Sequence, residues 1–154
     1  MNMFRLRPPQ PQDEAALVDL SLHFASESDW SSTIPIGQID TLEKAHQRLF
    51  GEQALSVVVA EAAQGELIGY MGIYRAERNP YASILVHKAH RLRGLGRALV
   101  EQAFEKLPPG LTVEAWVGAF NHLSLAATPR LGFHWDHSIE VDGRTLNVFV
   151  RHSE

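Results

Sequence analysis

Apolar residues recur at helical spacing in four stretches of the chain, which predicts helices over about 13–25, 41–50, 95–106 and 121–130. In the first stretch, one helix face holds four apolar residues: Ala16, Leu17, Leu20 and Phe24. In the second, Thr41 is a candidate N-cap, and the apolar face is predicted to hold Leu42, Ala45 and Leu49.

Seven other runs are rich in β-branched and aromatic residues and predict strands over about 4–7, 55–61, 66–75, 81–87, 112–117, 133–141 and 145–151. Short turns join the second strand to the third and the sixth to the seventh, the latter through Asp142-Gly143, a strong hairpin signal. Residues 57–60 are apolar at consecutive positions, as in a strand covered on both faces. The strand–helix–strand unit at 81–117 predicts a parallel crossover.

These elements predict one α/β (α+β) domain over residues 1–154 around a mixed sheet. With 45% hydrophobic and 21% charged residues, the chain has enough apolar material for a core. The absence of cysteine excludes disulfides, a cysteine nucleophile and cysteine-based zinc sites, and it fits a reducing compartment. The apolar runs are far shorter than the ~20 residues that span a bilayer. We therefore expect a soluble, cytoplasmic protein.

The distribution of charge is more informative than its sum. The net charge is −4, so we expect neither nucleic acid nor membranes as partners. Residues 78–100 nevertheless contain no Asp or Glu, and five basic side chains fall there: Arg78, Lys88, Arg91, Arg93 and Arg97. This basic segment indicates either a site for a small anion or a solvated loop.

Within that segment, a strand leads into a loop with Gly94 and Gly96, and a helix begins at once. Glycine lets the backbone approach a ligand closely. The unpaired N–H groups at a helix start favour phosphate, and arginine can bind phosphate bidentately. The pattern predicts a binding loop for pyrophosphate. A dinucleotide fingerprint would need a third glycine where Leu99 stands, and the Gly-Lys-Ser/Thr of a P-loop is absent, so both of these alternatives fail.

The run Arg91-Leu92-Arg93-Gly94-Leu95-Gly96 resembles the Arg/Gln-x-x-Gly-x-Gly/Ala signature of the GNAT superfamily of N-acetyltransferases. Farther along the chain, Asn121 and the pair Gly132-Phe133 match the family's second element. The resemblance implies a mixed, mostly antiparallel central sheet of about seven strands flanked by about four helices. It also implies transfer of an acetyl group from acetyl-CoA to a primary amine in a ternary complex, without a metal, and makes a homodimer plausible.

The resemblance further implies how coenzyme A is bound. The backbone of the 91–97 loop would hold the pyrophosphate, and the strand edge at 85–87 would pair with the pantetheine arm. The N–H near Val86 would polarise the thioester carbonyl. Asn121 would contact the pantetheine, although a plain helix cap is its alternative role. The implied cofactor-binding residues are Leu85, Val86, His87, Arg91, Leu92, Arg93, Gly94, Leu95, Gly96, Arg97, Asn121 and Ser124.

The catalytic residues depart from the family pattern. The usual tyrosine acid is replaced by Thr128, a poor proton donor, which would instead contact or orient the CoA sulfur; Ser124 or Tyr81 is an alternative donor. Residues 81–86 contain no carboxylate, so Glu114, which shares a strand face with Thr112 and Trp116, is the first candidate base. His87 is the second candidate, and a water relay would need neither.

The resemblance also implies that the loop after the first helix lines the acceptor pocket, where Glu27, Asp29 and Trp30 would give an acidic edge suited to a cationic amine. Trp116 and Trp135 are expected in the core or at a dimer interface. The pairs His87/His90 and His134/His137 have metal-like spacing, but neither lies on a clear helix, so no metal site is predicted. The rival functions are a non-catalytic acyl-CoA binding module and an acyltransferase with another acyl donor or acceptor.

Overall fold

The computed structural model describes residues 3–25, 39–91, 94–119 and 121–154, without the side chains of residues 24 and 25. The elements in chain order are β1 Phe4–Arg7, α1 Asp13–Ala25, α2 Leu42–Phe50, β2 Ala54–Ala62, β3 Leu67–Tyr74, β4 Tyr81–Val86, α3 Leu95–Glu105, β5 Thr112–Gly118, α4 His122–Arg130, β6 His134–Val141 and β7 Arg144–His152. A short 3-10 turn, Lys88–His90, follows β4. Each predicted helix and strand is thereby confirmed to within one residue at either end.

The seven strands form one mixed sheet in the order β1-β2-β3-β4-β5-β7-β6. Every neighbouring pair is antiparallel except β4 and β5, which are parallel, as the crossover through α3 predicted. The turn between β6 and β7 has positive φ at both Asp142 and Gly143, the geometry that an Asp-Gly hairpin turn requires. The predicted sheet is therefore confirmed.

A core layer covers each face of the sheet. On one face, α3 packs against β2 and β3, with Leu99 and Phe104 among its buried residues. On the other, α1 and α2 pack through Leu17 and Leu49 onto β2, β3 and β4. Residues 57–60 are all buried, which confirms that this segment of β2 is covered on both faces.

One helix-face prediction is wrong. Ala45 and Leu49 of α2 are buried, but Leu42 is 59% exposed. Leu42 is the first residue of the helix, directly after the N-cap Thr41, whose hydroxyl accepts from the N–H of Lys44 at 3.1 Å. Leu42 therefore lies outside the face of α2 that packs on the sheet. Among the described helices, none combines the length and apolar composition that a membrane crossing requires.

The parallel strands β4 and β5 are in register at one pair of residues, Tyr81 and Glu114. The N–H of Glu114 donates to the carbonyl of Pro80 at 2.8 Å, which closes the sheet at the start of β4. Beyond this pair, the rest of β4 has a strand partner on its β3 side only, among the residues that the structure describes. The middle of the sheet therefore contains an exposed strand edge.

Candidate active site

The first turn of α3 has the geometry of an anion-binding site. Gly94 precedes the helix with a φ of 81°, a left-handed conformation that suits glycine, and no described side chain caps the helix. The N–H groups of the first turn have no partner within the helix, and the helix dipole places partial positive charge there. These features favour phosphate binding.

Packing contacts within the protein do not explain why residues 94 and 96 are glycines. A Cβ built on Gly94 would meet nothing within 4 Å, and one built on Gly96 would meet only the Leu131 side chain at 3.6 Å. Gly96 also lies inside α3, where glycine costs about 1 kcal/mol relative to alanine. The absence of side chains therefore leaves backbone donors accessible from outside, which is what close approach of a ligand requires.

The exposed edge of β4 leads directly toward this loop. The N–H of His87 donates to Ile68 on β3 at 2.8 Å, so strand alternation directs the N–H groups of Ile84 and Val86 to the opposite edge, facing β5. Sequence reasoning singled out Val86 but missed Ile84. The signal was available, because residues two apart in a strand use the same edge.

Two arginines are held near the end of this edge that leads to α3. The Arg91 Nε donates to the carbonyl of Val86 at 3.3 Å, so its guanidinium lies where β4 opens toward α3. The Arg97 Nη2 donates to the carbonyl of Arg130 at the end of α4, at 3.2 Å. A groove of ≈ 440 Å³ beside α3 is lined by three arginines, Arg97, Arg130 and Arg151, and by two carboxylates, Glu101 and Glu154. Arg151 pairs with Glu101 at 3.2 Å, so Arg97 and Arg130 are the cations of this groove that a ligand could meet.

The other predicted cofactor residues divide into three groups. The side chains of Leu85 and Leu95 are buried in the two cores, so these residues can offer a ligand only backbone groups. His87 and Ser124 are half-buried. Leu92 and Arg93 lie outside the described residues.

Asn121 and Thr128 are both nearly buried, with 6% and 7% of their surface exposed. Asn121 is the N-cap of α4, and its side-chain oxygen accepts from the N–H of Ser124 at 3.1 Å, as the helix-cap interpretation predicted. Its side-chain amide has no hydrogen-bond acceptor among the described residues and is still able to donate. The Thr128 hydroxyl donates to the carbonyl of Ser124 at 2.6 Å, so its oxygen can accept a further hydrogen bond but its proton is already used.

The two candidate bases lie at opposite ends of β4. Glu114 is beside Tyr81, and its carboxylate accepts from the Asn79 amide at 3.1 Å and from the Trp116 indole N–H at 2.9 Å. His87 follows the last residue of β4, roughly 20 Å farther along the strand. The contact between Glu114 and Asn79, which are 35 residues apart, has no sequence signature.

His87 is a neutral hydrogen-bond donor in this arrangement. Its ring stacks on that of His23 with centroids 4.7 Å apart, and its Nδ1 accepts from the N–H of Ala89 at 3.1 Å. Burial lowers the pKa of His87 below its usual range, and the nearby His23 and His90 lower it further. Because Nδ1 is an acceptor, the ring proton of the neutral form is on Nε2. The exposed ring nitrogen therefore donates.

Other sequence expectations have mixed outcomes. Trp116 is 51% exposed and Trp135 is 58% exposed, so neither is a core residue, and each uses its indole N–H on a polar neighbour. Their alternative place at a dimer interface stays a prediction. The described residues contain no group of three or more His, Asp or Glu side chains arranged to hold a metal ion. The predicted acceptor residues Glu27, Asp29 and Trp30 lie outside the described residues.

Comparison with known proteins is consistent with this geometry. A model of the acetyltransferase (GNAT) family matches residues 22–133. Among curated proteins, no sequence matches the chain. The fold is similar to that of a GNAT-family acetyltransferase from Streptococcus pneumoniae, with 19% identity over 98% of this chain and 99% of that one and a TM-score of 0.75.

Two other solved structures have a similar fold. A GNAT superfamily phosphinothricin acetyltransferase from Sinorhizobium meliloti, in complex with AcCoA, has 19% identity over 99% of this chain and 89% of that one, with a TM-score of 0.75. A variant of the spermidine N-acetyltransferase SpeG from Vibrio cholerae has 17% identity over 98% of this chain and 94% of that one, with a TM-score of 0.70. At these identities, the similarity concerns the fold.

Proposed function

The chain belongs to the GNAT acetyltransferase family, whose model matches 22–133 of its 154 residues, and we propose that it transfers an acetyl group from acetyl-CoA to a primary amine. The observation that carries this proposal is the continuity between the exposed edge of β4 and the uncapped start of α3. The names of similar structures, which include phosphinothricin and spermidine N-acetyltransferases, support nitrogen as the acceptor atom.

Coenzyme A would bind along this continuous surface. The N–H groups at residues 94–97, with Arg91 and Arg97 beside them, would hold the pyrophosphate. The pantetheine amides would pair with the edge of β4 as an added strand, and the Asn121 amide would donate to the same arm. The groove beside Arg97 and Arg130 would receive the nucleotide end.

The chemical step would be direct attack within a ternary complex. The thioester carbonyl oxygen would accept from a free N–H of the β4 edge, that of Val86 or that of Ile84, which is two residues closer to Glu114; this hydrogen bond stabilises the negative charge of the tetrahedral intermediate. Glu114 would take one proton from the bound ammonium, directly or through a water molecule, and the nitrogen lone pair would form the new bond to the acetyl carbon. The C–S bond would then break, its electron pair would leave on sulfur as the thiolate, and the second proton lost from the nitrogen would pass to that thiolate or to water. We favour Glu114 over His87 because the exposed nitrogen of His87 is a donor.

Thr128 would orient the sulfur rather than protonate it. Its hydroxyl proton is given to the Ser124 carbonyl, so only the oxygen lone pairs face a ligand. A thiol with a pKa of about 8.5 is a tolerable leaving group as thiolate, so a dedicated acid is not essential. The same hydrogen bond favours a second candidate function, a non-catalytic acyl-CoA binding module that lacks an acid. Ser124 and Tyr81 remain alternative donors.

Steady-state kinetics with a panel of amines separates these functions. The chain has no cysteine, so a thiol reagent detects released CoA without any signal from the protein. We expect CoA release that depends on both acetyl-CoA and amine and that matches the amount of N-acetyl product determined by mass spectrometry. Saturable acetyl-CoA binding without turnover of any amine would establish the binding module instead. Turnover with alcohols or longer acyl-CoA only would identify the other acyltransferase class.

Three further features stay proposals. Glu27, Asp29 and Trp30 would form an acidic edge of the acceptor pocket, which alanine substitution and KM measurements for amines would test. A homodimer is proposed from the family resemblance, and analytical ultracentrifugation tests it. A cytoplasmic location is proposed because a chain without cysteine fits a reducing compartment, and fractionation of cells tests it.

A further inference from the structure

Glu114 is a half-buried carboxylate without a positively charged partner among the described residues. Its two oxygens accept from neutral groups, the Asn79 amide at 3.1 Å and the Trp116 indole N–H at 2.9 Å. The ion pairs of the described chain use other carboxylates. Two neutral donors fix the orientation of the carboxylate, and within the described part of the chain no cation compensates its charge. A fixed, uncompensated carboxylate is complementary to a cation.

Two aromatic rings flank this carboxylate on the same face of the sheet. Trp116 is two residues after Glu114 on β5, so both side chains project from one face, and the bond to Glu114 fixes the indole while half of its surface stays exposed. Tyr81 is the register partner of Glu114 on β4 and is half-buried, with its ring 5.4 Å from that of Tyr74. The faces of indole and phenol rings attract alkylammonium groups.

We propose that Glu114, Trp116 and Tyr81 form the recognition site for the ammonium group of the acceptor, and that the acceptor class is an alkylamine without a carboxylate next to its nitrogen. This inference rests on the proposed acetyl transfer and names its substrate class. An α-amino acid would bring a second carboxylate close to that of Glu114, and two neighbouring carboxylates repel each other. Trp116 acts on binding, whereas Glu114 both binds the ammonium and accepts its proton.

The location of this site fits the reaction. Glu114 lies where β4 and β5 meet, at the inner end of the exposed β4 edge, and the opposite end of that edge leads to α3. The acyl group of a cofactor held with its phosphates at α3 would point along β4 toward this end. An ammonium bound at Trp116 would thus approach the thioester from the end opposite the pyrophosphate.

A matched pair of acceptors tests the substrate class. Pentylamine and norleucine differ only in the carboxylate next to the amine. We expect kcat/KM to be at least about tenfold higher for pentylamine, because the second carboxylate is repelled. Preference for norleucine, or equal use of the two acceptors, overturns the inference while leaving acetyl transfer itself established.

Substitutions at Trp116 test its role in binding the ammonium group of the acceptor. We expect Trp116→Ala to raise the KM of pentylamine by roughly two- to thirtyfold, with kcat and the KM of acetyl-CoA within about threefold of the wild type. Trp116→Phe keeps an aromatic face but loses the donor to Glu114, so an intermediate KM is expected. Trp135→Ala removes an equally exposed tryptophan from β6 and is the matched control, with no change expected. An unchanged amine KM in both Trp116 variants, with native circular dichroism, overturns the proposal.

A binding measurement keeps the inference testable if no amine is acetylated. The indole N–H signal of Trp116 in a ¹⁵N-labelled protein is assigned by its loss in Trp116→Phe. Titration with pentylammonium in the presence of coenzyme A is expected to shift this signal saturably, and Glu114→Gln is expected to abolish the shift. A signal that does not move overturns the ammonium site. Failure of turnover alone counts against the proposed function only.

Discussion

Glu114 meets Tyr81 at the point where the parallel strands β4 and β5 are in register. This one pairing has two consequences. No described pair of β4 and β5 residues follows it, so the N–H groups of Ile84 and Val86 face β5 without a strand partner among the described residues. It also fixes a carboxylate at the inner end of the edge that those groups form. A site for an extended acyl donor and a site for its acceptor are therefore adjacent.

Replacing the carboxylate of Glu114 separates catalysis from cofactor binding. We expect Glu114→Gln to lower kcat/KM for an alkylamine by about 10²–10⁴-fold, the usual contribution of a general base, and to leave the dissociation constant of acetyl-CoA unchanged. Glutamine has the same size and keeps one oxygen acceptor, so one of the two hydrogen bonds from Asn79 and Trp116 is retained. A decrease of less than tenfold at saturating amine would assign proton removal to water or to another residue.

Thr128→Val tests the orienting role of the threonine. Valine keeps the shape of the side chain but loses the hydrogen bond to Ser124, so we expect a loss of about 1 kcal/mol in the free energy of unfolding, measured by urea denaturation. We expect kcat to fall by less than about tenfold. A fall of 10² or more at normal stability would instead mean that the hydroxyl is the acid. Ser124→Ala, measured in parallel, tests the alternative donor.

The His87 imidazole makes stability depend on pH. Burial, followed by the neighbouring His23 and His90, lowers its pKa in the folded protein, with Arg91 acting in the same direction and Glu66 opposing. The unfolded chain then binds the proton more readily than the folded chain. The free energy of unfolding should therefore decrease as the pH falls below about 6.5 toward the lower pKa of the folded state.

The measurement is urea denaturation between pH 5 and pH 8 for the wild type and His87→Asn. Asparagine can still accept from the N–H of Ala89 but cannot be protonated, so part of the pH dependence should disappear. His122→Asn, at an exposed position on α4, is the control and should follow the wild type. Identical pH profiles for wild type and His87→Asn would contradict the shifted pKa.

Gly72 provides the space in which two buried tyrosines meet. Tyr70 and Tyr74 lie on the same face of β3, one on each side of Gly72, and their hydroxyls form a hydrogen bond, with that of Tyr74 also donating to the Arg48 carbonyl at 2.8 Å. A Cβ at position 72 would overlap the Tyr74 hydroxyl. We therefore expect Gly72→Ala to destabilise the fold by about 1–3 kcal/mol in urea denaturation.

Gly69→Ala is the matched control on the same strand. Its Cβ would meet the ends of two flexible side chains, Leu99 at 3.1 Å and Leu95 at 3.3 Å, which can adjust by small movements. Its cost should be smaller than that of Gly72→Ala. Equal costs for the two variants would mean that the tyrosine pair is not the reason for the glycine.

The sequence predicted the elements and their order well because their periodicities are strong. Residues 57–60 are consecutively apolar and are buried on both faces, and Asp142-Gly143 adopts the positive φ values that its hairpin requires. Exposure was less predictable. Leu42 and Trp116 are apolar at positions that fit a buried face, yet both are exposed, because burial depends on which element lies opposite.

The ligand-binding groups of the site could be predicted where they depend only on the local backbone conformation. The start of α3 and the edge at Val86 belong to this class, since glycine conformation and strand alternation are readable from neighbouring residues. The partners of Glu114 were not predictable, because Asn79 is 35 residues away and contacts it through the closure of β4 on β5. Such contacts depend on tertiary structure.

Calorimetric titration with acetyl-CoA tests the central claim, that the start of α3 binds the cofactor. The variants are Gly94→Glu and, as control, Gly143→Glu, whose positions share a positive φ and open surroundings, so the backbone strain is alike. The wild type and Gly143→Glu should bind acetyl-CoA equally, whereas Gly94→Glu should bind at least about 100-fold more weakly, since its side chain and charge lie where the pyrophosphate is bound. Equal binding by all three proteins, or no binding by the wild type, would contradict the account.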